Sequence, residues 1–530
     1  MHLKKLKPLV FALFAVLLLF PAAVSAQELA KEQIIRIAVP VRDIQTLDPA
    51  YSTLTGEKTI VSEITNGLLR MPYGVLDLER IEGDLAESWT VSEDGLTWDF
   101  TLRRGVKWHK GYGEVTAEDV KFSLERVIDP GTGSPWSKKF SNIDSIATDG
   151  KYGVSITLKE PDPFFSFSLL GHHGGQIISK KAVMELGKDI AFNPIGSGPF
   201  MFESYRKGQS LVLKGNPDYF MGKPVLETVE YVFIPDDSSR MLALQKGEID
   251  LGRGVRRKEW AERAERFGLV LMPPNPPQQL IVCFNMSRGP LGDLKVRQAL
   301  AHAIDRDIYV DLFGPVLGGP QNSPVPPGYF GHLEEVPEEL LYTFDPVKAR
   351  KLLAEAGYPN GFDLGDVVMS ESESYLQPTK IIQEQLRQIG VNFNLKVVDH
   401  PTYHKLIRED VNPLVIYGGV RLPIASTILT QFYHSKSIVG KDTAVTNFSH
   451  YEGIDSYLDQ AEKAKTLKEK KELFEQAQIQ ILKDLPAYPL ALNRVSMTRQ
   501  KWVDLGYPTD PYETLYYVIE VSEKTRILKH

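Results

Sequence analysis

Residue patterns that would mark a catalytic centre are scarce in this 530-residue chain. His172 and His173 are adjacent, but neither belongs to a His-Glu-x-x-His pattern nor has the spaced carboxylate partner that zinc chemistry needs. His173-Gly174-Gly175 has the look of an oxyanion-hole segment, yet no Gly-x-Ser-x-Gly elbow exists to use it, and Gly196-Ser197-Gly198 is not one. Asp and Glu are plentiful, but nothing in their spacing brings two of them to hydrolase separation. The single Cys283 lies in the apolar run Leu280-Ile281-Val282-Cys283-Phe284, so no intramolecular disulfide forms. It reads as a small buried hydrophobe rather than a reactive thiol. The expectation is a protein with no catalytic residues, no metal and no cofactor. A secreted hydrolase is the remote alternative.

The N-terminus and the charge bound the partners. Lys4, Lys5 and Lys7 precede an apolar run from Leu9 to Phe20, and Pro21 and Ala22-Ala23-Val24-Ser25-Ala26 follow. This is the n-region, h-region and small-residue site of a secretory signal peptide over residues 1–26. The run is shorter than the roughly 20 residues a membrane span requires. No Cys lies near the cleavage site, so the expected product is periplasmic and carries no lipid anchor. The chain has 61 Lys and Arg against 68 Asp and Glu, and loss of the leader removes three of the lysines. With no basic block to follow a phosphate backbone, nucleic acid is not an expected partner.

Several elements must position whatever site exists. Ile34 to Val39 reads as a strand ending at Pro40. Asp94 to Lys107 reads as a hairpin, with Trp98, Phe100 and Leu102 alternating with Thr97, Asp99 and Thr101. Thr116 caps a helix with Asp119 at its N3 position, and Val120, Leu124 and Val127 form its apolar face. Phe200-Met201-Phe202 and Leu211-Val212-Leu213 are strands around Lys207-Gly208. Helices are expected at 295–308, 346–356, 378–389 and 454–483, with a strand from Val391 to Val397. Pro273-Pro274-Asn275-Pro276-Pro277 and Leu485-Pro486-Ala487-Tyr488-Pro489 read as two extended crossings between lobes, a layout suited to a hinge. The class is α/β or α+β with several domains.

The stretch Leu85 to Trp108, including Leu85-Ala86-Glu87-Ser88-Trp89 and Asp94-Gly95-Leu96-Thr97-Trp98, resembles a motif of the peptide/nickel family (family 5) of extracellular solute-binding proteins. Matching pieces follow in the family's order: Thr116-Ala117-Glu118-Asp119-Val120, Gly196-Ser197-Gly198-Pro199-Phe200, Asn216-Pro217-Asp218-Tyr219-Phe220 and Gln245-Lys246-Gly247-Glu248-Ile249-Asp250. Val296-Arg297-Gln298-Ala299-Leu300, Ala303-Ile304-Asp305-Arg306 and Leu352-Leu353-Ala354-Glu355-Ala356-Gly357-Tyr358 continue it, so the resemblance spans about residues 34–520. Physically, most of these pieces are turns and strand entries, which identify architecture rather than a ligand site.

The resemblance implies an α/β, two-lobed periplasmic binding protein of type II with an additional inserted domain and a hinged cleft. Lobe I would comprise 27–50, 187–275 and 493–530, the inserted domain 51–186, and lobe III 276–492. It implies a monomeric ABC-importer component that captures a peptide-like ligand and hands it to membrane permease subunits. In peptide-binding relatives an acidic residue of lobe III pairs with the ligand's α-ammonium. No Asp or Glu occurs here between Val411 and Lys441, and Arg421 stands close to the anchor's place. Three readings stay open: Arg421 binds a carboxylate or phosphate of the ligand, it pairs with a protein carboxylate, or the site takes a neutral ligand such as a sugar on aromatic surfaces. The alternative to a peptide is therefore a ligand without a free amine: an acidic conjugate, an opine-like compound or an oligosaccharide. The candidate ligand-binding residues are Arg421, Tyr417, Gly418, Gly419, Tyr51, Ser52, Thr53, Trp136, Gln278 and Gln279. By family analogy alone, His404 or His434 would hold a metal chelate.

Overall fold

The computed structural model describes residues 28–78, 80–171, 174–274, 276–419, 421–440, 446–464, 466–509 and 521–530. The leader and the His172-His173 pair lie outside the described residues.

Ile34–Val39 is a strand, as its β-branched run dictates. It lies between two parallel partners, Thr228–Phe233 and Leu251–Arg253. They belong to a seven-stranded sheet in the order Phe200–Arg206, Ser210–Gly215, Thr228–Phe233, Ile34–Val39, Leu251–Arg253, Met497–Arg499, Val270–Met272. Met497–Arg499, from the far end of the chain, slots in antiparallel to both its neighbours. Ile37, Leu213 and Val229 are fully buried in its core, each worth about 1.5–3 kcal/mol of apolar burial, and Tyr231 is buried beside them.

A second, antiparallel sheet runs Ala86–Val91, Thr97–Leu102, Gly153–Leu158, Ile143–Asp149. Trp98, Phe100 and Leu102 enter the core while Asp99 and Thr101 stay exposed, as the alternation requires. Gly95 turns the hairpin at φ 74°, a conformation costly for a side chain bearing a Cβ. The helix Ala117–Ile128 begins as expected, with Thr116 donating its backbone N–H and its hydroxyl to Asp119 Oδ2 at 3.0 and 2.8 Å.

The third sheet orders Gly318–Gly319, Ala487–Asn493, Gln278–Phe284 and Leu414–Gly419, all antiparallel. Here the sequence reading of Leu485–Pro489 as a crossing is corrected. Tyr488 and Pro489 pair with Val282 and Ile281 inside this sheet, and a register shift at Leu280/Ile281 accommodates the proline's missing N–H. The chain leaves the sheet only after Asn493, reaching Met497–Arg499 in the seven-stranded sheet.

Two expected helices are each divided. The 295–308 helix is Leu294–Ala303 followed by Asp307–Leu317, with Asp305 Oδ1 accepting the Asp307 N–H at 3.1 Å in the break. The 454–483 helix is Asp455–Lys463 and Leu467–Asp484, the second opened by a Thr466/Glu469 capping box. The helix expected at Pro378 starts earlier, as Glu373–Arg387 with Ser372 at its N-cap. Residues from the 51–186 and 276–492 stretches belong to one continuous hydrophobic core, and Phe164 meets Phe330 edge-on at 5.3 Å.

Candidate ligand cleft

One end of the third sheet gathers six of the sequence-derived candidates. Gln279 pairs with Gly419 across the strands, and Gln278 pairs with Asn493. The glycines let side chains close over the sheet end: a Cβ on Gly418 would sit 2.5 Å from Gln278 Nε2, and one on Gly419 would sit 2.7 Å from an Arg421 guanidinium nitrogen. Gln279 is fully buried, and its amide has no hydrogen-bond partner on either atom. Such an orphan is costly in a folded interior.

Arg421 is half-buried. Its backbone N–H donates to the Tyr329 hydroxyl at 2.9 Å, and its Nε donates to Gln431 Oε1 at 2.5 Å. The guanidinium carbon lies 5.4 Å from the centre of the Phe432 ring, a cation–π arrangement. Tyr417 is buried in an aromatic cluster with His404, Phe432 and Phe448, at centroid separations of 5.7, 5.7 and 5.3 Å.

Tyr375, on Glu373–Arg387, donates its hydroxyl to the Gly418 carbonyl at 3.2 Å. Burial, with the Tyr417 phenol adding to it, pushes its phenol up to about 12, against the pull of the Arg256 and Arg421 cations. Beside it lies a cavity of about 660 Å3, whose walls include Arg253, Arg256 and Arg257 from one lobe and Ser372 and Gln377 from the other. That volume falls within the range of small-molecule sites. Asp237 also lines it, accepting from Arg240 at 2.5 Å and from Arg257 at 3.1 Å. The positive end of the helix Glu373–Arg387, capped at Ser372, adds to the cationic character of this wall.

The remaining candidates form a second group. Tyr51 is partly exposed, donates its hydroxyl to the Thr132 carbonyl at 2.9 Å and carries the Arg126 guanidinium 5.6 Å above its ring. Ser52 is buried with an unpartnered hydroxyl, whereas Thr53 is exposed. Ser134 ties this segment to Trp136 by donating to the Ala50 carbonyl at 2.6 Å, and Lys58 Nζ lies 5.7 Å from the Trp136 ring centre.

His404 Nε2 approaches His400 Nε2 at 3.1 Å, and burial, His400 and Arg408 together hold His404 down at about 4. His434 lies 3.4 Å from Asp455. Among the described residues no group of three or more His, Cys, Asp or Glu gathers as a metal site.

Sequence reasoning missed Tyr329, Tyr375, Gln431 and Arg256. Only the last had a local signal, the Arg253-Gly254-Val255-Arg256-Arg257 cluster directly after a strand.

Two sheets of different composition, joined by two crossings and facing each other over a cationic cleft, define a two-lobed type II binding protein. The chain belongs to the bacterial extracellular solute-binding proteins, family 5, whose model matches residues 80–440, and is therefore a solute-binding protein of the kind that serves ABC importers. It is similar to the MoaA binding protein from Agrobacterium tumefaciens R10, solved in complex with mannopinic acid, at 35% identity over 94% of this chain and 100% of that one, with a TM-score of 0.76. It is 27% identical to DppA of Helicobacter pylori, solved with the peptide STSA, over 94% of this chain and 98% of that one, with a TM-score of 0.72. The glutathione-binding protein GsiB of Salmonella choleraesuis (strain SC-B67) is 29% identical over 88% of this chain and 91% of its own length. No helix among the described residues is long and apolar enough to cross a membrane.

Proposed function

We propose that this protein captures a small acid lacking a free amine and delivers it to an ABC permease, binding the ligand without converting it. The observation that carries the reading is Arg421, held by Gln431 and Phe432 in a segment with no carboxylate between Val411 and Lys441. A guanidinium at this place favours a carboxylate and repels an α-ammonium, the reverse of a peptide anchor. The arginines lining the adjoining cavity act in the same direction. The 35% identical relative that holds mannopinic acid supports an acid of that kind.

A second reading, a peptide-like ligand, is favoured by the glutathione-binding and peptide-bound relatives. Under either reading the lobes divide as 27–50, 187–275 and 493–530 for lobe I, 51–186 for the inserted domain and 276–492 for lobe III. The seven-stranded sheet supports this division by drawing strands from all three lobe I segments. The chain works as a monomer in the periplasm, freed by cleavage after Ala26.

Mass spectrometry of the molecule that co-purifies with the protein tests the ligand class. An acidic compound with no primary amine is expected. A peptide with a free N-terminus would contradict the first reading and uphold the second.

A further inference from the structure

We infer that Gln279 is a specificity-determining residue: its buried amide takes a hydroxyl carried beside the acid group that Arg421 holds, so the ligand is a hydroxy acid and not a plain carboxylic acid. The inference rests on the acid reading of the cleft and narrows it.

Gln279 stands near the start of Gln278–Phe284, at the end of the four-stranded sheet where the chain arrives from the seven-stranded one. It is fully buried, and among the described residues neither amide atom has a hydrogen-bond partner. A folded interior holds an apolar side chain of that shape at lower cost. The amide is explained by a group that arrives after folding. Its surroundings say which group. Residues directly opposite in an antiparallel pair project from the same face, with Cβ atoms about 4.5–5.5 Å apart. Gln279 is opposite Gly419, and Ile281 is opposite Tyr417. Gly419 projects nothing, and the Arg421 guanidinium fills that direction, since a Cβ there would lie 2.7 Å from one of its nitrogens. The guanidinium and the Gln279 amide therefore share one face, a row beyond Tyr417. They do not bond each other, and Arg421 Nε is committed to Gln431. Gln278 turns its amide to the opposite face, over Gly418.

The amide of Gln279 offers an acceptor oxygen and a donor nitrogen, both unsatisfied. A carboxylate only accepts and an ammonium only donates, so neither satisfies the two together. A hydroxyl does both. Placed on the carbon next to a carboxylate, it meets the amide while the carboxylate meets the guanidinium, and the two protein groups read two adjacent groups of one molecule. A site built to hydrogen-bond a hydroxyl rejects the analogue that lacks it, because its own buried polar atoms are then left unpaired.

The experiment uses full-length mature protein stripped of bound molecules by unfolding and refolding, native and as Gln279→Met, whose apolar chain keeps the length. Titration calorimetry sets lactate against propionate, malate against succinate and gluconate against hexanoate. The native protein should prefer the hydroxy acid of at least one pair by roughly 10–100-fold, the scale of a buried polar group left unsatisfied, and Gln279→Met should prefer it by less than about threefold. Melting curves of the two empty proteins should show Gln279→Met no less stable, since it gives up no bond. The inference is overturned if the native protein prefers the hydroxy acid in no pair, if Gln279→Met keeps the preference, or if Gln279→Met lowers the thermal midpoint markedly and so gives the amide to the fold. Equal binding of both acids of a pair would retire the hydroxyl and leave the acid reading in place. Rejection of every acid in favour of plain peptides would retire both.

Discussion

Arg421 reaches Gln431 ten residues further along the chain, donating from Nε to the amide oxygen at 2.5 Å. The acceptor is neutral and lies in the helix Ala425–Tyr433, so the guanidinium is aimed by a rigid element without being neutralised by that bond. Gln431→Leu removes the acceptor and keeps the size. It should weaken capture of an acidic ligand by about 1–3 kcal/mol, the usual scale for a hydrogen bond to a charged group, while the thermal midpoint changes little. Titration calorimetry beside a melting curve measures both.

Closure should pivot at residues 273–277 and 493–496 and not at Pro486. The Pro486 carbonyl accepts from Phe284 N–H at 2.9 Å, within the lobe III sheet. By contrast, Arg494 N–H donates to Leu317 O and Gly254 N–H donates to Ser496 O, both at 2.8 Å, where the chain passes between sheets. Hydrogen exchange should change on ligand capture at 494–496 and stay constant through 487–492. The opposite pattern would put the hinge back at the proline.

His109 supplies a pH dependence with a definite sign. Burial outweighs its hydrogen bond to the Gly198 carbonyl and holds the imidazole down at about 4, below the usual 6.5. The folded protein therefore binds fewer protons than the unfolded chain between those values. This contribution is fully present above about pH 6.5 and is lost as pH falls toward 4. Thermal midpoints from pH 7 to 4.5 should fall less steeply in His109→Gln, whose amide can still donate to Gly198. An identical slope would remove His109 from the acid response.

Cys283 should be silent in the native state. Its thiol is buried, and burial pushes it far above its ordinary range, which denies it the reactive thiolate. A thiol-specific disulfide reagent should react only after denaturant is added. Rapid reaction of the native protein would show that the Gln278–Phe284 strand opens.

Periodicity and caps made much of the architecture legible. The strand Ile34–Val39, the hairpin around Gly95 and the Thr116-capped helix follow from residue type alone. The divided helices show what was passed over. Thr466 and Glu469 carried a readable capping box, whereas the glutamate- and lysine-rich composition suggested one long helix. The Leu485–Pro489 error has a tertiary cause, since a bulge at Leu490, beside the proline in its own strand, admits a proline that local rules exclude from a central strand. For the cleft, the acid-free stretch around Arg421 was visible in the sequence. Its companions Tyr329 and Gln431, and Tyr375 on the neighbouring Gly418 carbonyl, come from separate segments that only folding brings together.

Titration calorimetry tests ligand choice at Arg421 most directly, with ligand-stripped protein set against a panel of amine-free acids and a panel of unmodified di- and tripeptides. The native protein should bind an acid and reject the peptides even at low salt, and Arg421→Ala should weaken the acid by about 2–5 kcal/mol, the cost of breaking a desolvated charge pair. Tight binding of plain peptides, unchanged in Arg421→Ala, would contradict an acid-selective cleft and establish peptide capture instead.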